Sequence, residues 1–318
     1  MNLKTGNSSN GFTPEISLDK LHRMAAELIL PGRSILRLLN TVLEFVTNFL
    51  ARVLGSSLIR RHFHLLLSGL VLFGPVLSFW VSKYSIFANS NHYLYRKFLR
   101  STWGWTCIFT GAFIILLSLS VRHSTSLSLR HLSRVGLTGL LWWSCQRLLT
   151  LLEDAAGTCY EPMTPGQDGQ SPASPVQPLL LLHEDQNKAS CLKAHMLWRG
   201  YEVSQDVLIL CFCCLLLVEE MCVFGHHLER QKPLQRSPGT PLRVVFLLCV
   251  LLLLVWMFLL LCLLAYFPKF PSQQLGGALG YLGWRGLYQG LYRLGSRWGC
   301  PGLPREGLST TVYTNKQP

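Results

Sequence analysis

The stretch VVFLLCVLLLLVWMFLLLCLLAYF, Val244 to Phe267, carries no charged side chain and sits between Arg243 and Lys269. A hydrocarbon core about 30 Å thick is crossed by roughly 20 helical residues, because each adds only about 1.5 Å. A helix this long and apolar around its whole circumference has no stable place at a water interface, so it must be sheathed in lipid or in protein. The rest of the composition agrees. Hydrophobic residues make up 49% of the 318 and charged residues only 14%, whereas soluble domains carry about 25% charged residues. An ordinary soluble globule is excluded on that ground.

Two more windows read as spans of the same kind: Leu65 to Val81, between Arg61 and Lys83, and Thr102 to Val121, between Arg100 and Arg122. Three further apolar runs contain charge or glycine. Val135 to Leu152 includes Arg147, Val203 to Phe224 includes Asp206, Glu219 and Glu220, and Leu275 to Leu294 includes Arg285 and Arg293. The last also carries Gly276-xxx-Gly280 and Gly286-xxx-Gly290, the spacing that lets helix backbones approach closely. Together these runs predict an all-α polytopic membrane protein of about six spans.

Charge sets the expected orientation. Lys plus Arg number 29 against 16 Asp plus Glu, a net +13. The cations flank apolar runs instead of interleaving with aromatics, so membrane phospholipid is the expected polyanion and nucleic acid is not. Lys4, Lys20, Arg23, Arg33, Arg37, Arg52, Arg60 and Arg61 precede the first span, while the long loop of about 153–202 has only Lys188, Lys193 and Arg199. The positive-inside rule therefore places both termini in the cytosol and that loop on the opposite side.

Three regions follow from these boundaries. Residues 1–60 form an expected cytosolic region without the apolar core of a signal peptide. Within it Ile35, Leu38, Leu39, Val42, Phe45, Val46 and Phe49 recur at helical spacing, the pattern of an amphipathic helix that lies on the leaflet or packs on the bundle. Residues 61–295 form the membrane domain. Its loop segment GTCYEPMTPGQDGQSPASPVQ is too poor in apolar residues to fold alone, and Cys159 and Cys191 flank it, open to a disulfide in an oxidising lumen or to remaining free thiols. Residues 296–318 read as a disordered cytosolic tail. The other nine cysteines lie mostly in apolar runs and act there as small hydrophobes.

The sequence has no GxGxxG, GxxxxGK[ST], HExxH or GxSxG motif, and no cofactor or metal is expected. His226-His227 reads as an exposed loop pair, and His183 and His195 lie in the polar loop without metal-ligand spacing. An ionised carboxylate in hydrocarbon costs several kcal/mol unless paired or hydrated. Asp206 falls at the start of its span, where capping or chemistry would suit it, and Glu219-Glu220 fall near the far headgroups, where an ion pair with Arg230 or Arg243 is expected.

Several stretches, in this order and spacing, resemble the fat storage-inducing transmembrane family: SIFANSNHYLYRKFLRSTWGWTCIFTGAF (85–113), RHLSR (130–134), LLEDAAGTCYEP (151–162), SCLKAHMLWRGYEVS (190–204), FCCLLLVEEMCVF (212–224) and the AYF that closes the longest span. The likeness runs from about residue 60 to about residue 295 and is nearest to the family's first, muscle-type branch. It implies a six-span, lipid-phosphatase-like bundle of the endoplasmic reticulum membrane, with cytosolic termini, that promotes lipid droplet formation and binds triacylglycerol and diacylglycerol. It also implies a kinship with luminal fatty acyl-CoA diphosphatases. Such chemistry uses two luminal histidines, one attacking phosphorus and one protonating the leaving group. Here the first position is Asp206 and the second Pro268. Proline has no group that can attack phosphorus, so the expected catalytic set is empty and the activity impaired or weak. Leu208, Ile209 and Leu210 match a family segment linked to lipid storage, and read equally as plain bilayer helix. The rival expectation is an active luminal diphosphatase that uses His183 or His195, with Arg199 and Lys269 neutralising phosphate. A transporter is disfavoured by the lack of intramembrane charge rows and matched broken helices.

Overall fold

The structure, a computed structural model, describes residues 18–82, 84–122, 125–162, 179–183, 188–200, 202–230, 239–293 and 302–304. Within them the side chains of 18–33, 121, 122, 125–127, 161, 162, 179–183, 199, 226, 229 and 230 are not described. Most of the Pro- and Gly-rich loop, and the tail apart from 302–304, lie outside these residues. The helices in chain order are α1 (Leu18–Gly55), α2 (Ser57–Phe73), α3 (Thr102–Arg122), α4 (Thr125–Ala156), α5 (Lys188–Lys193), α6 (Gln205–Arg230), α7 (Thr240–Tyr266) and α8 (Ser272–Arg285). Three short strands interrupt them: β1 (Thr158–Pro162), β2 (Leu179–His183) and β3 (Leu197–Arg199). The chain divides into two compact units, 1–46 and 47–318. The described part of the first is the leading portion of α1, which contains the amphipathic pattern from Ile35 to Val46.

Five described helical stretches are long and apolar enough to cross a bilayer: Ser34–Gly55, Ser57–Phe79, Thr102–Ser120, Gln205–Gly225 and Thr240–Tyr266. Four match expected spans. Ser34–Gly55, read from sequence as an amphipathic helix on the leaflet or against the bundle, also qualifies by length and composition. Val135–Leu152 and Leu275–Leu294 fall short. In α4 the apolar turns of that window are broken by Gln146 and Arg147, and α8 ends at Arg285, where a π-helical turn Gly286–Gly290 takes over.

The local chemistry explains where helices begin and change. Ser56 Oγ accepts a hydrogen bond from Ile59 N at 3.4 Å, capping an otherwise unsatisfied donor at the start of α2. At the far end of α2, Pro75 removes a backbone donor, and the chain tightens into the 3-10 turn Gly74–Phe79.

The bundle is arranged around α6. Its window Gln205–Gly225 is wholly buried, enclosed by α2, α3, α7 and α8, while α4 packs on α3. By contrast, only 44% of the more apolar α7 window is buried, and Leu251, Leu254, Phe258 and Leu261 face outward. Between the helices Phe224 meets Phe246 at 4.8 Å and Phe113 at 6.1 Å between ring centres. Trp256 Nε1 donates to Thr106 Oγ1 at 3.1 Å, tying α7 to α3.

Small residues set how closely α6 is approached. A Cβ on Gly276 would stand 2.5 Å from the Ser204 carbonyl oxygen, and one on Gly280 2.8 Å from that of Leu208. Glycine alone permits this α6–α8 contact. Of the two Gly-xxx-Gly pairs, only this one makes a close crossing, since Gly286 and Gly290 face open space. At the other end of α6, Gly225 lies against Ala51, whose carbonyl oxygen would be 2.4 Å from an added Cβ.

The polar loop holds a small sheet that the sequence reading did not anticipate. The strand order is β2-β1-β3, antiparallel throughout, with Tyr160 opposite both Leu181 and Leu197. Cys159 and Cys191 are joined by a disulfide with Cα atoms 5.9 Å apart. Lys188 Nζ donates to Asp154 at 2.6 Å, so α5 is tethered to the last turn of α4. The Asp154 carboxylate, as a hydrogen-bond acceptor, holds the Lys188 ammonium above its usual range.

Candidate functional site

The two positions singled out by the sequence, Asp206 and Pro268, lie at the same end of the bundle. Ser204 precedes α6, and its Oγ accepts from Val207 N at 3.5 Å, a long N-cap bond. Asp206 lies in the first turn with its side chain exposed, where the helix dipole favours an anion. Pro268 follows Phe267, the C-cap of α7. Lys269 is ion-paired to Glu202 at 3.6 Å, and its charge also acts on Asp206. Ser204 N donates to Ser272 O at 3.2 Å, which fastens the start of α8 to the start of α6.

The carbonyls left over at the end of α7 are satisfied from α8. Gln273 Nε2 donates to Phe267 O at 2.9 Å and to Leu263 O at 3.3 Å. The Gln273 Oε1 and Gln274 Nε2 atoms are buried with no hydrogen-bond partner among the described residues. The named groups here are thus two carboxylates, an ammonium, a hydroxyl and two carboxamides. They can hold a polar group and orient it. Attack on phosphorus calls for a nucleophile activated by a neighbouring base, and neither Asp206 nor Pro268 supplies the imidazole.

The other candidates are placed as follows. Leu208, Ile209 and Leu210 are 3%, 5% and 0% exposed, so they face protein within the bundle, against α8, and not its outer surface. His195 is exposed just past α5 with φ of 55°, and His183 ends β2. His226 and His227 belong to the last turns of α6 and not to a loop. Burial holds the His227 ring below its usual pKa. Among the described residues no group of His, Cys, Asp and Glu is arranged to hold a metal ion.

At the opposite end of α6 the described partners of Glu219 and Glu220 come from other helices, and the expected partner Arg230 has its side chain outside those described. Glu219 is bonded to Arg60 at 3.2 Å. Glu220 accepts two bonds from Arg134, Nε to Oε1 at 3.1 Å and Nη2 to Oε2 at 2.9 Å, and a third from Tyr288 Oη at 2.9 Å. The pair is almost wholly buried, with 3% of each side chain exposed. Arg134 Nη1 donates to His131 Nδ1 at 2.6 Å, and the Arg134 carbonyl accepts from Thr138 Oγ1 at 2.6 Å and Tyr292 Oη at 3.0 Å. A buried pair is tolerable only when its remaining bonds are made in this way. Sequence reasoning chose Arg230 and Arg243 because they follow Glu219-Glu220 closely. The partners among the described side chains include Arg60 on α2 and Arg134 on α4, brought in by the packing of those helices.

Comparison with known proteins settles the family. The chain is 58% identical over 279 residues to "Fat storage-inducing transmembrane protein 1" of Danio rerio, covering 86% of this chain and 93% of that protein. The chain belongs to the fat storage-inducing transmembrane family. The Mus musculus protein of the same name is 40% identical over 269 residues, covering 85% of each chain. A second branch matches more distantly: "Acyl-coenzyme A diphosphatase FITM2" of Mus musculus is 30% identical over 271 residues, 85% of this chain and 96% of that protein. No protein-family model matches the chain, and no solved structure matches it.

Proposed function

We propose that this protein is a fat storage-inducing membrane protein that binds triacylglycerol and diacylglycerol and partitions them from the endoplasmic reticulum membrane into lipid droplets, with both termini cytosolic. Membership of the family and the names of its fat storage-inducing relatives support the general reading. The endoplasmic reticulum location rests on the family resemblance, and the cytosolic termini on the cation distribution. One observation carries the distinction from the diphosphatase branch. Asp206 and Pro268, the two positions where the family resemblance calls for histidine, lie at the shared end of α6 and α7 amid paired charges and helix caps. A neutral lipid has no charged headgroup, so apolar helix surface is enough to receive it. The outward leucines of α7 offer such surface.

The test compares wild type with the Asp206→His, Pro268→His double variant in acyl-CoA hydrolysis and, in parallel, in binding of radiolabelled triacylglycerol. Negligible wild-type hydrolysis with saturable triacylglycerol binding is expected, and the binding should be indifferent to the two substitutions. Robust wild-type hydrolysis that is lost in His183→Ala or His195→Ala would replace this reading with the diphosphatase one.

A further inference from the structure

At the end of the bundle opposite Asp206, a cavity of about 450 Å3 opens between α2, the end of α6 and the π-helical turn after α8. That volume is within the range of small-ligand sites, about 300–1,000 Å3. Its charged lining is Arg60, Arg61, Arg293 and Glu219. Glu219 is already paired with Arg60, so Arg61 and Arg293 leave the cavity with an excess of two positive charges. Both of these side chains are exposed at the mouth.

The wall is aromatic. His64 stacks on Tyr281 at 5.6 Å and on Trp284 at 6.4 Å between ring centres. Trp284, which lines the cavity, is only 7% exposed, and its Nε1 is buried without a hydrogen-bond partner among the described residues.

We propose that this cavity binds the phosphate of an anionic phospholipid headgroup. Guanidinium groups match phosphate oxygens with forked, charge-assisted bonds. Leu65 and Leu66, on the same helix as Arg61 and His64, are exposed, so the acyl chains of a lipid have apolar surface beside the headgroup. Basic pockets between membrane helices are suited to acidic headgroups for this reason. The leaflet concerned is cytosolic if the orientation proposed above holds. The binding itself does not depend on that orientation or on the handling of neutral lipid.

The experiment titrates the full-length protein in detergent with short-chain phosphatidic acid, with phosphatidylcholine of equal chain length and with glycerol phosphate, and reads bound ligand by native mass spectrometry. Phosphatidic acid should bind at least about tenfold more tightly than phosphatidylcholine, and glycerol phosphate should not displace it at equal concentration. Arg61→Ala with Arg293→Ala should weaken phosphatidic acid binding by about tenfold or more. Triacylglycerol binding, followed in the same variant, should not change, which separates this site from the storage reading. Wild-type affinity in the double arginine variant would overturn the proposal. So would equal affinity for phosphatidylcholine, and displacement by glycerol phosphate would overturn the lipid as the source of the phosphate.

Discussion

The two ends of α6 carry carboxylates in opposite conditions. Glu220 is buried, with three hydrogen bonds from α4 and from the π-helical turn after α8. Asp206 is exposed in the first turn, with the charge of Lys269 nearby. The first is therefore part of what holds the helices together, and the second is at leisure to be something else. In the family resemblance the second is also the position of a catalytic group. An exposed position can change its residue at small structural cost, whereas the network around Glu220 has to change as a unit.

The contrast can be broken most sharply at Glu220. Glu220→Ala leaves Arg134 buried without its counter-charge and should destabilise the protein by about 3–5 kcal/mol, read as a fall in thermal midpoint in detergent. The double variant Arg134→Met with Glu220→Leu should recover most of that loss.

The same network should respond to pH. Burial, and then the charges of Arg134 and Arg130, lower the His131 pKa to about 4 from 6.5. Between those values the unfolded chain binds the proton and the folded one does not. Stability should therefore fall as pH drops from about 6.5 towards 4, by about 3 kcal/mol at most. A denaturation series across that range checks it, and His131→Gln should flatten the response.

Gly276→Ala tests the crossing at the Asp206 end. Its Cβ would meet the Ser204 carbonyl oxygen of α6 at 2.5 Å, and a cost of about 1–3 kcal/mol is expected. Gly286→Ala, which faces open space, should leave the thermal midpoint unchanged. Smallest of all, Asp206→Asn should shift stability by about 0.5 kcal/mol or less, since it removes only an exposed interaction with a helix terminus.

How much of this was legible in the sequence depends on whether the signal is local. The α7 span and the Gly276-xxx-Gly280 crossing follow from runs and spacings within a single helix. So does the entry of α6 at Ser204 and Asp206. What escaped was tertiary. Nothing near Glu220 in the chain points to Arg134, 86 residues away, nor does anything near Arg60 point to Glu219. The sheet was missed because β1 and β2 flank a segment whose composition reads as loop, and β3 has only three residues. Hydropathy also misranks the centre. The window of α7 averages 3.3 against 2.6 for α6, yet α6 is the buried one. In a bilayer the most apolar helix can face lipid, while the helix with polar residues to pair belongs inside.

That enclosure sets an order on how the protein is made. The ribosome delivers α6 before α7 and α8, so the helix that ends up touching only protein must first wait in the membrane with part of its wall missing. Arriving after α7, α8 closes over Leu208 through the Gly276 and Gly280 contacts. A chain released just short of Ser272 would keep its earlier spans but leave one flank of its central helix bare, a natural mark for membrane quality control.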